Sequence, residues 1–223
     1  MSSVSQIRIR ARLAKPPEHV LVKFPRYERE FFLGYANFIL GLILSPDIRE
    51  LLSNLVASEG IRSDRSIDLR VMIFPAKQLR RQPSRILYGS YSHSLAQISL
   101  YPLRISKDRI RREGTAMFAT HLNHLSIAQR KLIGEISTAA ISTLIHEVLH
   151  VKFQQRSLAR YVEEGMVQRL EKTYMKQWAD KVDGVLRSQF SSVIENVLWE
   201  KSSRTVKHKL TRLRSREYAS RND

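Results

Sequence analysis

From Ile7 to Leu13 apolar and basic residues alternate, with Ile7, Ile9, Ala11 and Leu13 on one side and Arg8, Arg10 and Arg12 on the other. A period of two predicts a β-strand with one basic face, although its partner cannot be identified from the pattern. After Pro16-Pro17 a helix is expected to begin near Tyr27 and to carry the apolar run Phe31–Leu44, which is broken by Gly34, Asn37 and Gly41. The run is shorter than the roughly 20 residues needed to cross a bilayer, so it predicts a buried helix and no integral membrane span. Ser45-Pro46-Asp47 marks a restart, with Ser45 as the cap and Pro46 in the first turn of a helix that buries Leu51, Leu52, Leu55 and Val56 and ends at Gly60.

The next stretch, Ile67 to Pro75, predicts a strand closed by proline, and the basic segment Lys77–Arg85 a connection. Ile86–Ser92 and Ala96–Tyr101 are two further strands close enough in sequence to pair as a hairpin. Ser126 stands three residues before Gln129, a capping-box spacing, ahead of a long helix through Ile133, Ile136, Ala140, Leu144 and Val148 to about Phe153. A polar link from Gln154 to Arg160 leads to a second helix from about Tyr161 to Trp178, and a third periodic segment runs through Val182, Leu186, Phe190, Val193 and Val197. These elements predict an α+β fold in three parts: an N-terminal strand and helical extension over 1–64, a main domain over 65–200, and a basic C-terminal tail over 201–223.

Composition narrows the chemistry. The 223 residues are 43% hydrophobic and 26% charged, as in a folded globular chain. Lys+Arg 38 against Asp+Glu 21 gives a formal charge of +17, which favours polyanions and makes nucleic acid a possible partner through the basic surface. Cysteine is absent, so thiolate ligands and disulfides are excluded, and any bound metal must be held by histidine, carboxylate and water. The N-terminus has no apolar stretch with a cleavage site, and a cytoplasmic location is expected.

His146-Glu147-Val148-Leu149-His150 fits H-E-x-x-H. Histidines four apart lie one above the other on a helix and can ligate one zinc ion, while Glu147, a step round the barrel, is placed as the catalytic base. A catalytic zinc site usually takes three protein ligands, and the candidates for the third are Glu163 and Glu164. His121 and His124 form H-x-x-H without an accompanying carboxylate cluster, which suits capping or surface roles. Tyr91, His93, Tyr161 and Tyr174 are candidate donors to an oxyanion, and no spacing selects among them.

The stretch Tyr161-Val162-Glu163-Glu164-Gly165-Met166-Val167, following that motif, resembles the gluzincin metallopeptidases, in which a glutamate just before a glycine completes a His, His, Glu site. By that resemblance the metal ligands are His146, His150 and Glu164, the cofactor is Zn2+, and the substrate is a peptide or protein. The thirteen residues between His150 and Glu164 resemble the spacing of compact, minimal gluzincins. Val151-Lys152-Phe153-Gln154-Gln155-Arg156 lacks the Gly and His of the metzincin pattern, and no histidine before His208 supplies the third ligand of a SprT-like pattern. Tyr88-Gly89-Ser90-Tyr91 and Gln97-Ile98-Ser99-Leu100 look like the strands before the metal helix in compact zincins, whose edge pairs with extended substrate. The resemblance covers about residues 67 to 178 and implies a zincin-like core, with Glu147 accepting a proton from the attacking water. Gly165 is expected to let the Glu-bearing helix approach the metal helix closely, with Val162, Met166 and Leu170 as its apolar face. A basic nucleic-acid-binding protein, catalytic or not, is the alternative expectation.

Overall fold

The structure, a computed structural model, describes residues 8–62, 66–76, 87–118, 124–153 and 158–189. The fold is mixed α+β, with a four-stranded mixed sheet and six helices among the described residues. The strands are β1 (Ile9–Ala14), β2 (Ile67–Met72), β3 (Gly89–Ser92) and β4 (Gln97–Leu100), in the order β1-β2-β4-β3. β1, β2 and β4 run parallel, and β3 returns antiparallel to β4 as the expected hairpin.

Register separates the two faces of the sheet. One carries the rows Ala11-Leu69-Ile98-Tyr91 and Leu13-Val71-Leu100-Gly89, and the other Arg10-Asp68-Gln97-Ser92 and Arg12-Arg70-Ser99-Ser90. Alternation in the sequence thus becomes an apolar face that helices must cover and a polar face that needs no cover.

Two helices supply that cover. α2 (Arg26–Leu44) packs on β1 and β2 through a stripe that includes Phe31, Phe32, Tyr35, Ile39 and Leu42, and α5 (Ile127–Phe153) packs on β3 and β4. A bend of 63° separates α2 from α3 (Pro46–Ser58), which buries Ile48, Leu51, Leu52 and Leu55, while Val56 is only partly buried. Gly60 follows with φ +59°, a left-handed conformation that suits glycine after a helix. Ser45 holds the cap position as expected, yet its hydroxyl donates back to the Leu42 carbonyl at 2.7 Å rather than capping α3. At the start of α5 the capping box forms in full: the Gln129 amide N–H donates to Ser126 Oγ at 3.2 Å, and the Ser126 N–H to Gln129 Oε1 at 2.9 Å.

α5 is long and apolar enough to cross a bilayer by length and composition, but 89% of its most apolar window is buried in the protein. It is the central helix of the core, flanked by sheet, α2 and α6 (Arg160–Gln189). The core is continuous from Phe31 and Leu55 through Leu69 and Ile98 to Val148, Val167 and Trp178, so the first 62 residues contribute both an edge strand and packed helices to it.

Several local expectations differ from the structure. β2 ends at Met72 rather than at Pro75. α6 continues without a break to Gln189, so Val182 belongs to the second helix and not to a separate third one. Short helices α1 (Glu18–Leu21) and α4 (Lys107–Glu113) were not expected, the latter capped by Ser106 Oγ accepting from the Arg109 N–H at 3.3 Å. The connection Lys77–Arg85, residues 154–157 of the polar link, Val193, Val197 and the tail 201–223 lie outside the described residues.

Candidate metal centre

His146, Glu147 and His150 occupy the last two turns of α5, where the helix is enclosed on nearly all sides and His146 and Glu147 are buried. α6 packs along it and presents Glu163 and Glu164 from its first turns and Glu171 two turns further on. The three ligand candidates converge: His146 Nε2 lies 3.1 Å from His150 Nε2, and Glu164 places Oε1 3.2 Å from the former and Oε2 3.4 Å from the latter. His146, His150 and Glu164 thus form a cluster able to hold one ion.

The far side of each imidazole meets a second carboxylate. His146 Nδ1 lies 2.9 Å from Glu171 Oε2, and His150 Nδ1 lies 2.6 Å from Glu163 Oε1. Ser142 Oγ donates to the other oxygen of Glu171. Ionised carboxylates only accept, so each Nδ1 carries its hydrogen and each Nε2 presents a lone pair toward the other and toward Glu164. Four acceptor atoms within this space repel one another unless a cation, a metal ion or a shared proton, lies among them.

The electrostatics follow from that crowding. Burial works to raise the Glu164 pKa, but hydrogen bonding and charge from His146 and His150 hold the carboxyl far below its ordinary range. Burial likewise works to lower the His150 pKa, and the hydrogen bonds with Glu164 and Glu163 together with the Glu147 charge outweigh it and raise the value. A positive charge is therefore favoured between these groups.

Glu147 faces the sheet. A Cβ built on Gly89 would lie 2.6 Å from Glu147 Oε1 and 2.5 Å from Thr143 Cγ2, so only glycine lets β3 come this close to α5. β3 is the last strand of the sheet, and the Glu147 carboxylate lies over its inner face at Gly89. The backbone edge of a last strand can pair with an extended chain.

No family model, curated protein or solved structure matches the chain. The centre is characterised by its own geometry.

That geometry sorts the candidates. Of the two glutamates left open by the residues alone, Glu164 joins the histidine pair, while Glu163 binds the back of His150. A Cβ placed on Gly165 would meet no atom within 4 Å, so close helix approach is not the role of this glycine. The fully buried positions of α6 are Val167, Glu171, Met175, Trp178 and Val182; of the expected apolar face, Met166 and Leu170 are half-buried and pack against the same core, while Val162 is exposed. Tyr174 donates to Glu59 and meets Ser58 Oγ at 2.8 Å, which takes it away from the centre, and Tyr161 is 71% exposed. Tyr91 shares the inner face with Gly89, opposite Ile98, and burial raises its phenol pKa, keeping it a donor at neutral pH. His93 lies in the β3–β4 turn, His124 is exposed ahead of α5, and His121 lies outside the described residues.

Glu171 and Ser142 were missed by sequence reasoning. A signal existed in their spacing: Glu171 stands two helical turns beyond Glu164, and Ser142 one turn before His146.

Proposed function

We propose that the protein is a zinc-dependent peptidase of gluzincin type, with a zincin-like core formed by the β3 edge, α5 and the start of α6. His146, His150 and Glu164 would hold Zn2+, and Glu147 would be the general base. The observation that carries this reading is the convergence of two imidazole Nε2 atoms and one carboxylate, each imidazole held from behind by its own carboxylate. Tetrahedral bonds of about 2.1 Å put neighbouring ligand atoms about 3.4 Å apart, close to the separations found here. Two nitrogens and a carboxylate in a chain without cysteine suit zinc.

When bound, zinc supplies Lewis acidity that activates a water and polarises a carbonyl. The chain's own groups do the rest. The β3 edge holds an extended peptide by backbone hydrogen bonds, with its carbonyl directed toward the histidines. Glu147, which lies over β3 at Gly89, takes the proton of the attacking water and delivers it to the leaving amine. Glu171 and Glu163 keep both imidazoles in the tautomer whose Nε2 is available, and raise their basicity.

Glu147→Gln is the direct test, with metal analysis run beside hydrolysis of an unstructured protein substrate. Zinc should stay near one per chain while hydrolysis is abolished. Hydrolysis at the wild-type rate in Glu147→Gln would overturn the role of the base, and a purified chain that takes up no zinc would overturn the centre.

A further inference from the structure

The face of the sheet turned away from α2 and α5 is a surface that the candidate centre does not use. Its rows are Arg10-Asp68-Gln97-Ser92 and Arg12-Arg70-Ser99-Ser90, and Arg8 continues the same face because its carbonyl accepts from the Ile67 N–H at 2.8 Å, extending the β1–β2 ladder. Arg8, Arg10 and Arg12 are exposed. Asp68 is the one acidic residue in these rows. It receives Arg12 Nε at 2.9 Å and Arg12 Nη2 at 2.8 Å, and Arg70 Nε at 2.8 Å. The effect is to lay two guanidiniums down across neighbouring strands while leaving the face net positive.

We propose that this outer sheet face binds duplex nucleic acid through its phosphates. Arginines at alternate positions of β1 repeat every 6 to 7 Å or so, a spacing suited to successive phosphates of one strand. Planar guanidiniums match phosphate oxygens, and Ser90, Ser92 and Gln97 add neutral hydrogen-bonding groups across the sheet. Aromatic residues are absent from these rows, since Tyr91 points to the opposite face. A single strand held by base stacking would need them, whereas a duplex contacted through its backbone does not. Binding is therefore independent of sequence and steeply dependent on salt. The surface is a face of the sheet, distinct from the His146, His150 and Glu164 cluster between α5 and α6. The proposal does not depend on the centre being catalytic.

The test uses the full chain and a fluorescent duplex of arbitrary sequence, titrated over a range of salt concentrations. Arg8→Gln/Arg10→Gln removes two charges that Asp68 does not engage, and Arg49→Gln/Lys172→Gln removes two exposed charges from α3 and α6 as a control of equal net charge. Losing two phosphate contacts should lower the slope of log K against log salt by about 2, and weaken binding about 60-fold near 0.1 M salt. The control should keep the wild-type slope, and both variants should melt at the wild-type temperature. Equal losses in the two variants would overturn the proposal by reducing it to net charge. So would tighter binding of the matching single strand, or binding to phosphatidylserine vesicles without binding to the duplex.

Discussion

The sharpest consequence of the centre concerns Glu171, which touches no substrate and is proposed to act through His146. Its side chain is buried and accepts two hydrogen bonds, one from His146 Nδ1 at 2.9 Å and one from Ser142 Oγ. In Glu171→Gln the amide oxygen can still accept from Nδ1–H while the amide nitrogen donates to Ser142, whose hydrogen rotates away. Shape and packing persist, and the negative charge behind the imidazole is lost. Removing such a partner lowers metal affinity about 10- to 100-fold, which corresponds to roughly 1.4 to 2.7 kcal/mol. Burial decides where in that range each partner falls. The Glu171 side chain is 9% exposed and water cannot replace it, so the upper end is expected; that of Glu163 is 24% exposed, so Glu163→Gln should fall near the lower end. Glu164→Gln, which alters a ligand itself, should exceed both. Zinc affinity of the four proteins, measured by competition with a chromophoric chelator, gives the ranking. If Glu171→Gln binds zinc as tightly as wild type, or Glu163→Gln is the more damaging of the pair, the assignment of an orienting role by burial is refuted.

Gly89→Ala should force β3 away from α5, because its Cβ would meet Thr143 Cγ2 at 2.5 Å and Glu147 Oε1 at 2.6 Å. A destabilisation of about 1 to 3 kcal/mol in urea melts is expected, with loss of most hydrolysis, and an alanine variant that melts and cleaves normally would disprove the close approach. Away from the centre, Glu59 joins α3 to α5 and α6 by accepting from Lys152 Nζ and Tyr174 Oη. Burial works to raise its pKa, but the hydrogen bonds from Lys152 and Tyr174 and the Lys152 charge lower it. A depressed carboxyl contributes stability above its unfolded value of about 4.3 and loses it as pH falls through the lower folded value. Glu59→Gln should therefore cost about 1 kcal/mol near neutrality, modest because water reaches the cluster, with the difference from wild type closing in acid; a pH-independent difference would show that charge is not involved.

Much of the scaffold was legible because it is local. The alternation in β1, the β3–β4 hairpin, the capping box of Ser126 and Gln129 and the length of α5 all depend on residues a few positions apart, and each is present. The sequence by itself determined that His146, Glu147 and His150 share the end of one helix, since a spacing of four allows no other placement there. Tertiary structure decided what meets them. Which of Glu163 and Glu164 faces the pair depends on how α6 is rotated against α5, and the expected apolar face did not reveal that rotation: Met166 and Leu170 pack on the core, but Val162 is exposed and the most deeply buried positions lie beside them. The buried stripe there includes Glu171, a charge that only a partner on another helix can make tolerable, so local hydrophobicity could not reveal it. The partner of β1 was unreadable for a similar reason: it pairs with β2 across the intervening helices α1, α2 and α3, and periodicity specifies a face without specifying a neighbour. A helix's own sequence sets its turns, but the direction in which a side chain finds its charge partner is set by the packing of the whole core.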